Sequence, residues 1–240
     1  MTASAVLILL AAGCAGANPA AAPPAPPAAP PSTTTTPALP RADQATIDLA
    51  LATTITQADL SGTWEVYTPA REAEPVTGCG DKSPLADLPA GARQLGPVLK
   101  VPNSTWFVYS SSAVFPDEAA AIKWAQLRNT PEYVECRRGE LDSEQHAKDA
   151  RYSVVTESTT AEGIGVGGYE GYTRYQLKAD LGQGPQNASG TYDRHTYRSG
   201  RVMIGISIDF AAGEKDAPDL HTTIGNDLTR ALAAVYGRVK

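Results

Sequence analysis

The chain is poor in the side chains that most enzymes and metal proteins rely on: 240 residues include three histidines, three cysteines and two methionines. His146, His195 and His221 are scattered, and no G-x-S-x-G, H-E-x-x-H or P-loop pattern occurs. The short motifs of serine hydrolases, zinc peptidases and phosphate-loop NTPases are therefore missing. Positive charge is scarce as well: 20 Lys and Arg against 26 Asp and Glu leave a net charge of −6. A nucleic-acid binder needs a basic patch, so no nucleic-acid partner is expected. No apolar run of about 18 residues follows Cys14, so no membrane-spanning helix is expected there.

Three short constellations come out weak. Asp193-Arg194-His195 joins an acid and a base, but neighbours along a strand point to opposite faces. Asp219 and His221 stand two apart on an expected helix and share no face. Gly163-Ile-Gly-Val-Gly-Gly168 matches G-x-G-x-x-G, yet the residues after it alternate like a strand. A dinucleotide site needs a helix N-terminus at that point. No catalytic residues, cofactor or metal are expected, and an envelope hydrolase is the least favoured of three function classes.

The cysteines say more. Cys14 ends the apolar run from Ala5 and follows Ala12-Gly13, an arrangement that resembles a bacterial lipobox. In that family the cysteine carries lipid and becomes the N-terminus, so residues 1–14 read as a lipoprotein signal peptide. The alternative is an ordinary secretory signal with a stray cysteine. With Cys14 lipidated, Cys79 and Cys136 remain as a pair in an oxidising compartment. Their disulfide would stabilise the fold by about 4 kcal/mol in the chain-entropy model. Free thiols or metal ligands are the alternative, but no Cys or His stands three to five residues from either one.

Residues 15–40 hold nine Pro, nine Ala and four Thr and no charge, which reads as an extended linker. Thr33 to Thr36 beside Pro37 suit O-glycosylation, with a bare linker as the alternative. Residues 41–240 are long enough for one domain. Periodicity predicts a helix over 42–54, a strand over 63–68, a long loop around Cys79, and a strand over 104–115. Pro116-Asp117-Glu118 opens a helix to Arg128, which Pro131 should end, with Cys136 just beyond. Strands follow at 152–158 and 169–177, then a hairpin of 191–197 and 201–210 joined at Ser199-Gly200. In its last strand Val202, Ile204, Ile206, Ile208 and Phe210 alternate with Met203, Gly205, Ser207 and Asp209. A helix over 217–239 closes the chain. The fold class is α+β: an antiparallel sheet packed with two or three helices, a single domain and one disulfide.

Tyrosines and arginines crowd the β-rich half, and both residue types favour partly polar binding faces. Tyr172, Arg174, Tyr175 and Arg198 are the candidate ligand-binding residues. The alternative is that tyrosine simply suits strands.

The stretches "ATTITQADLSGTW", "VFPDEAAAIKWAQL" and "HTYRSGRVMIGISIDF", with lipobox, stalk and cysteines, resemble actinobacterial surface lipoproteins. Their globular part is similar to the extracellular sensor domain of PknH-type Ser/Thr kinases, a resemblance that covers about residues 42–240. It implies a compact antiparallel sheet with helices that binds an unknown ligand or cell-wall component. This chain carries no kinase and cysteines for one disulfide only, so a signalling role does not carry over. The expectation is an exported protein on the outer face of the cytoplasmic membrane, held there by a lipid anchor. Its sensor-like domain would bind a lipid, cell-wall or protein ligand, and an envelope scaffold is the alternative.

Overall fold

Residues 39–81, 83–160, 168–180, 185–210 and 218–239 are described by a computed structural model of the chain. Cys14, the linker up to residue 38 and Gly163 to Gly167 lie outside them. The first helix, α1 (Gln44–Ala52), starts where the Asp43 carboxylate accepts the Thr46 N–H at 2.7 Å. That bond satisfies one of the donors a helix N-terminus leaves open. Strand β1 (Glu65–Thr68) follows as expected. Strands β2 (Arg71–Glu72), β3 (Arg93–Leu95) and β4 (Val98–Lys100) then interrupt the expected loop. With two or three residues each, they are too short for alternation to register.

Strand β5 (Phe107–Val114) and helix α2 (Glu118–Arg128) stand where periodicity places them. Asp117 caps α2 by accepting the Ala120 N–H at 2.8 Å. Pro131 does not open a loop. It is the first residue of α3 (Pro131–Lys148), capped by Thr130, whose hydroxyl accepts the Tyr133 N–H at 3.2 Å. Proline loses nothing at a first helical position, where its missing N–H has no partner anyway, so one residue serves both to end α2 and to begin α3. Cys136 therefore lies inside a helix that the sequence reading did not foresee.

The second half is β6 (Tyr152–Thr160), β7 (Tyr169–Asp180), β8 (Pro185–Ser199) and β9 (Val202–Phe210), closed by α4 (Pro218–Gly237). Strand β8 is longer than expected, and Gly200 turns it into β9 with φ +54°, a conformation that side chains resist. Strand β7 begins directly after Gly168, so no helix opens behind the glycine motif. The nine strands form one sheet of order β1-β4-β5-β9-β8-β7-β6, with β3 pairing both β5 and β2. All named pairs are antiparallel. Among the described residues, four α-helices and the Cys79–Cys136 disulfide, Cα to Cα 5.8 Å, complete the α+β fold.

Helices cover both faces of the sheet. On one, Ala50 of α1 and Ile224, Leu228, Ala231, Leu232 and Val235 of α4 pack against Val108, Val114, Val202, Ile204 and Ile206. Burying such a side chain contributes roughly 1.5–3 kcal/mol. On the other, α2 lays Ala121, Trp124 and Ala125 against Ala113, Phe115 and Met203. Helix α3 lays Val134 and Leu141 against Val154, Tyr175 and Leu177. Between these last two clusters the packing opens.

Candidate functional site

The opening begins with β9. Val202, Ile204, Ile206 and Ile208 enter the α4 core, while Gly205, Ser207 and Asp209 turn toward α3. Ser111 of β5 and Thr173 of β7 flank them, so the floor is built of small side chains. A β-carbon at Gly205 would come within 2.6 Å of Ser111 Oγ, so this close approach needs glycine. Trp124 and Arg128 of α2, and Tyr133, Arg137 and Leu141 of α3, form the roof. The segment Pro75–Thr77 with Gly80 forms one wall. The inner chamber measures about 370 Å³, within the range of small-molecule sites.

An outer chamber of about 680 Å³ continues from it, sharing Arg137, Leu141, Arg194 and Ser207. Phe107, Tyr109 and Tyr192 give it aromatic walls. Its charges are balanced: Lys148 meets Glu144 at 3.0 Å, and Arg194 pairs with Asp209. Burial, with the Asp209 carboxylate second, pushes the Tyr192 phenol up to about 12.

The inner chamber is electrostatically different. Arg93, Arg128, Arg137 and Arg194 all line it, and no carboxylate does. Arg137 pairs with Glu140 and Arg194 with Asp209. Among the described residues, Arg93 donates to the backbone carbonyl of Glu74 alone, at 2.9 Å. Arg128 has a buried Nε without a hydrogen-bond partner among the described residues. Partial burial pulls both Arg93 and Arg128 below the usual guanidinium range, as expected of cations that have lost part of their hydration. Burial also pushes the Tyr133 and Tyr175 phenols up, so both keep their protons near neutral pH.

The disulfide belongs to this site. Cys136 on α3 holds Cys79, which stands beside the wall segment, and the Cys79 N–H donates to Glu140 Oε1 at 2.7 Å. Glu140 thus ties the wall to α3 while neutralising Arg137. Its carboxylate lies near both sulfurs, but these are spent in the S–S bond and offer no metal ligand.

The four sequence candidates go to three places. Tyr175 lines the inner chamber, and its hydroxyl donates to Val134 O at 3.4 Å. Tyr172 and Arg174 lie on the opposite sheet face. There Arg174 donates twice to the Asp193 carboxylate, at 2.7 and 2.8 Å, and the Tyr172 hydroxyl donates to it at 3.1 Å. Arg198 is a strut, donating to Glu170 at 2.7 Å and to Glu118 at the start of α2 at 2.5 Å. Asp193 and His195, expected on opposite faces, share one, because residues two apart on a strand point the same way. Arg194 between them turns the other way, into the cleft, whose lining His195 also reaches. No acid–base pair results: Asp193 is held by Arg174, and the His195 ring packs 4.8 Å from that of Tyr172. Burial lowers the His195 pKa, with the Asp193 charge opposing. The side chains of Asp219 and His221 lie outside the described residues.

Arg93, Arg128 and Arg137 escaped the sequence reading. They come from β3, α2 and α3, and no common spacing links them. The one signal pointing here was the small and polar face of β9.

No protein-family model matches the chain, and a comparison with curated proteins finds no match. Among solved structures, the extracellular domain of PknH from Mycobacterium tuberculosis is similar over 78% of this chain and 95% of that one. Sequence identity is 8% and the TM-score 0.35, so the functional reading rests on the cleft alone. Among the described residues, no helix is long and apolar enough to cross a membrane.

Proposed function

We propose that the protein is an exported, lipid-anchored domain of the cell envelope that binds a small ligand in the cleft between α3 and the sheet. One observation carries the binding reading. Over the central strands, where a sheet normally packs most densely, small residues and a pinned wall hold open two connected chambers. Export is supported by the disulfide, a bond of oxidising compartments, and by the lipobox-like context of Cys14. The site binds rather than catalyses. His195 also reaches the lining, but its ring packs on Tyr172, and among the described residues no hydrogen bond joins it to the floor hydroxyls of Ser111, Ser207 or Thr173; the nearby carboxylate of Asp209 is paired with Arg194.

The test fills the cleft. Ser207 stands on the floor where the two chambers join, so Ser207→Phe should block it without entering either core. A thermal-shift screen of envelope lipids, cell-wall fragments and metabolites should yield hits on the native protein only. A ligand at 100 times its Kd adds about 2.7 kcal/mol of stability. Hits that shift the variant equally would remove the cleft from consideration. A second reading, an interaction module, draws on β1, where Val66 and Tyr67 are 49% and 67% exposed on a sheet edge. An empty screen with a partner recovered through β1, and lost on Tyr67→Ser, would favour it.

A further inference from the structure

The inner chamber has a charge that its own protein does not balance, in a chain whose net charge is −6. Four guanidiniums line it, and two are neutralised within the fold, Arg137 by Glu140 and Arg194 by Asp209. Among the described residues Arg93 and Arg128 have no carboxylate partner, and the buried Arg128 Nε has no acceptor. A half-buried cation without a counter-charge loses part of its hydration and gains no ion pair within the fold in return. Building on the cleft reading above, we infer that the inner chamber seats a phosphate-bearing ligand, a phosphomonoester or diphosphate, with its phosphoryl oxygens on Arg93 and Arg128.

The charge count selects the class. Two uncompensated guanidiniums call for about two negative charges. A carboxylate or sulfate ester brings one, whereas a phosphomonoester brings about −1.5 to −2 near neutral pH. The planar fork of arginine matches phosphate oxygens in a bidentate manner, which a lysine does not. The remaining polar groups are donors in the right state. Tyr133 is held protonated by burial, and Ser111, Ser207 and Thr173 supply hydroxyls. Arg93 and Arg128 are also the two chamber guanidiniums that burial pulls down, so an arriving anion would restore what desolvation takes away. The outer chamber fixes the ligand's orientation. Its charges are already paired and its walls carry Phe107, Tyr109 and Tyr192, so an uncharged ring or chain faces outward. A soluble sugar phosphate and a phospholipid headgroup present this same chemistry.

The experiment titrates the full chain with sodium pyrophosphate and glucose 1-phosphate, against acetate and glucose at constant ionic strength. Both phosphate probes should raise Tm, and neither control should. Arg128→Gln and Arg93→Gln should each weaken binding about tenfold or more, as loss of a charge-assisted hydrogen bond does. Arg151→Gln, a surface pair partner outside the cleft, should leave binding unchanged. Arg128→Gln should also leave the unliganded Tm equal or higher, because an unpartnered buried charge is gone; a purely structural role for Arg128 would lower it. Arg128→Lys, with charge but no fork, should bind between the two.

Co-sedimentation with phosphatidic acid vesicles, against phosphatidylcholine vesicles, separates the sources. Capture that Arg128→Gln abolishes assigns the phosphate to a lipid, and pyrophosphate binding without capture assigns it to a soluble ester. Phosphate probes that bind no better than acetate, or that bind Arg128→Gln like the native chain, would overturn the inference. If neutral hits from the screen still vanish on Ser207→Phe, the cleft survives and only the phosphate assignment falls.

Discussion

Arg151 and Arg128 show how position decides what a guanidinium does. Arg151 lies at the surface just past α3 and forks onto the Asp149 carboxylate, at 3.0, 3.2 and 2.6 Å. Water screens such a pair, so it adds little to stability. It acts measurably on its partner: the Arg151 side-chain bonds, then its backbone N–H, hold Asp149 down at about 2. An unfolded aspartate titrates near ~3.9. The depressed carboxyl thus favours the folded state above that pH, and the contribution fades as pH falls toward 2. A carboxyl-detected NMR titration should find the Asp149 midpoint at about 2 and move it upward in Arg151→Gln. A midpoint unchanged by that substitution would show that the pair does not persist in solution. Arg128, on the helix before, has the same group, but its buried Nε meets no acceptor among the described residues.

Among the elements, α3 decides the most. Its buried residues are few, Val134, Leu141 and Gln145, so it packs loosely enough over the sheet to leave space beneath. What fixes it in place is covalent and polar: the Cys79–Cys136 bond and the Glu140 link to the Cys79 N–H. Replacing both cysteines by serine should lower stability by about 2–5 kcal/mol in denaturant titration. Ligand affinity should fall with it, since the wall from Pro75 to Gly80 loses its tie to the roof. Thiol labelling of the denatured, unreduced native protein should find neither cysteine free. A double variant with native stability would refute the pinning role. The same helix was the main omission of the sequence reading. Thr130-Pro131-Glu132 is a sound helix start, but after a helix a proline reads first as a stop. The thin apolar stripe of α3 gave no counterweight.

At the scale of the whole molecule, the proposed anchor at Cys14 and the two-faced sheet are separate parts of the chain. If Cys14 carries lipid, anchoring is decided outside the folded domain. Stable attachment takes two or more buried chains, so Cys14→Ala should convert a membrane-bound protein into a released one. Equal fractionation of the two forms with the membrane would refute the lipobox reading. The ligand site and the anchor are then separable: Cys14→Ala should leave every cleft measurement unchanged.

Sequence alone determined whatever rests on local repetition. The two-residue period of β9 marked one apolar face and one small, polar face, and the 3.6-residue stripe of α4 marked the helix that covers the first. Asp117 and Pro116 placed the start of α2, and cysteine arithmetic paired Cys79 with Cys136. Such signals work because they report neighbours within a turn or a pleat. The tertiary structure decided which distant residues meet. Arg93, Arg128, Arg137 and Arg194 become one chamber only through the β5–β9–β8–β7 register and the docking of α2 and α3. It also parted Tyr172 from Tyr175, because alternation sends residues three apart to opposite sides of a sheet. Some charges pair within a helix turn, as Arg137 does with Glu140, but Arg194–Asp209 and Arg198–Glu118 pair across space, and no local period encodes those.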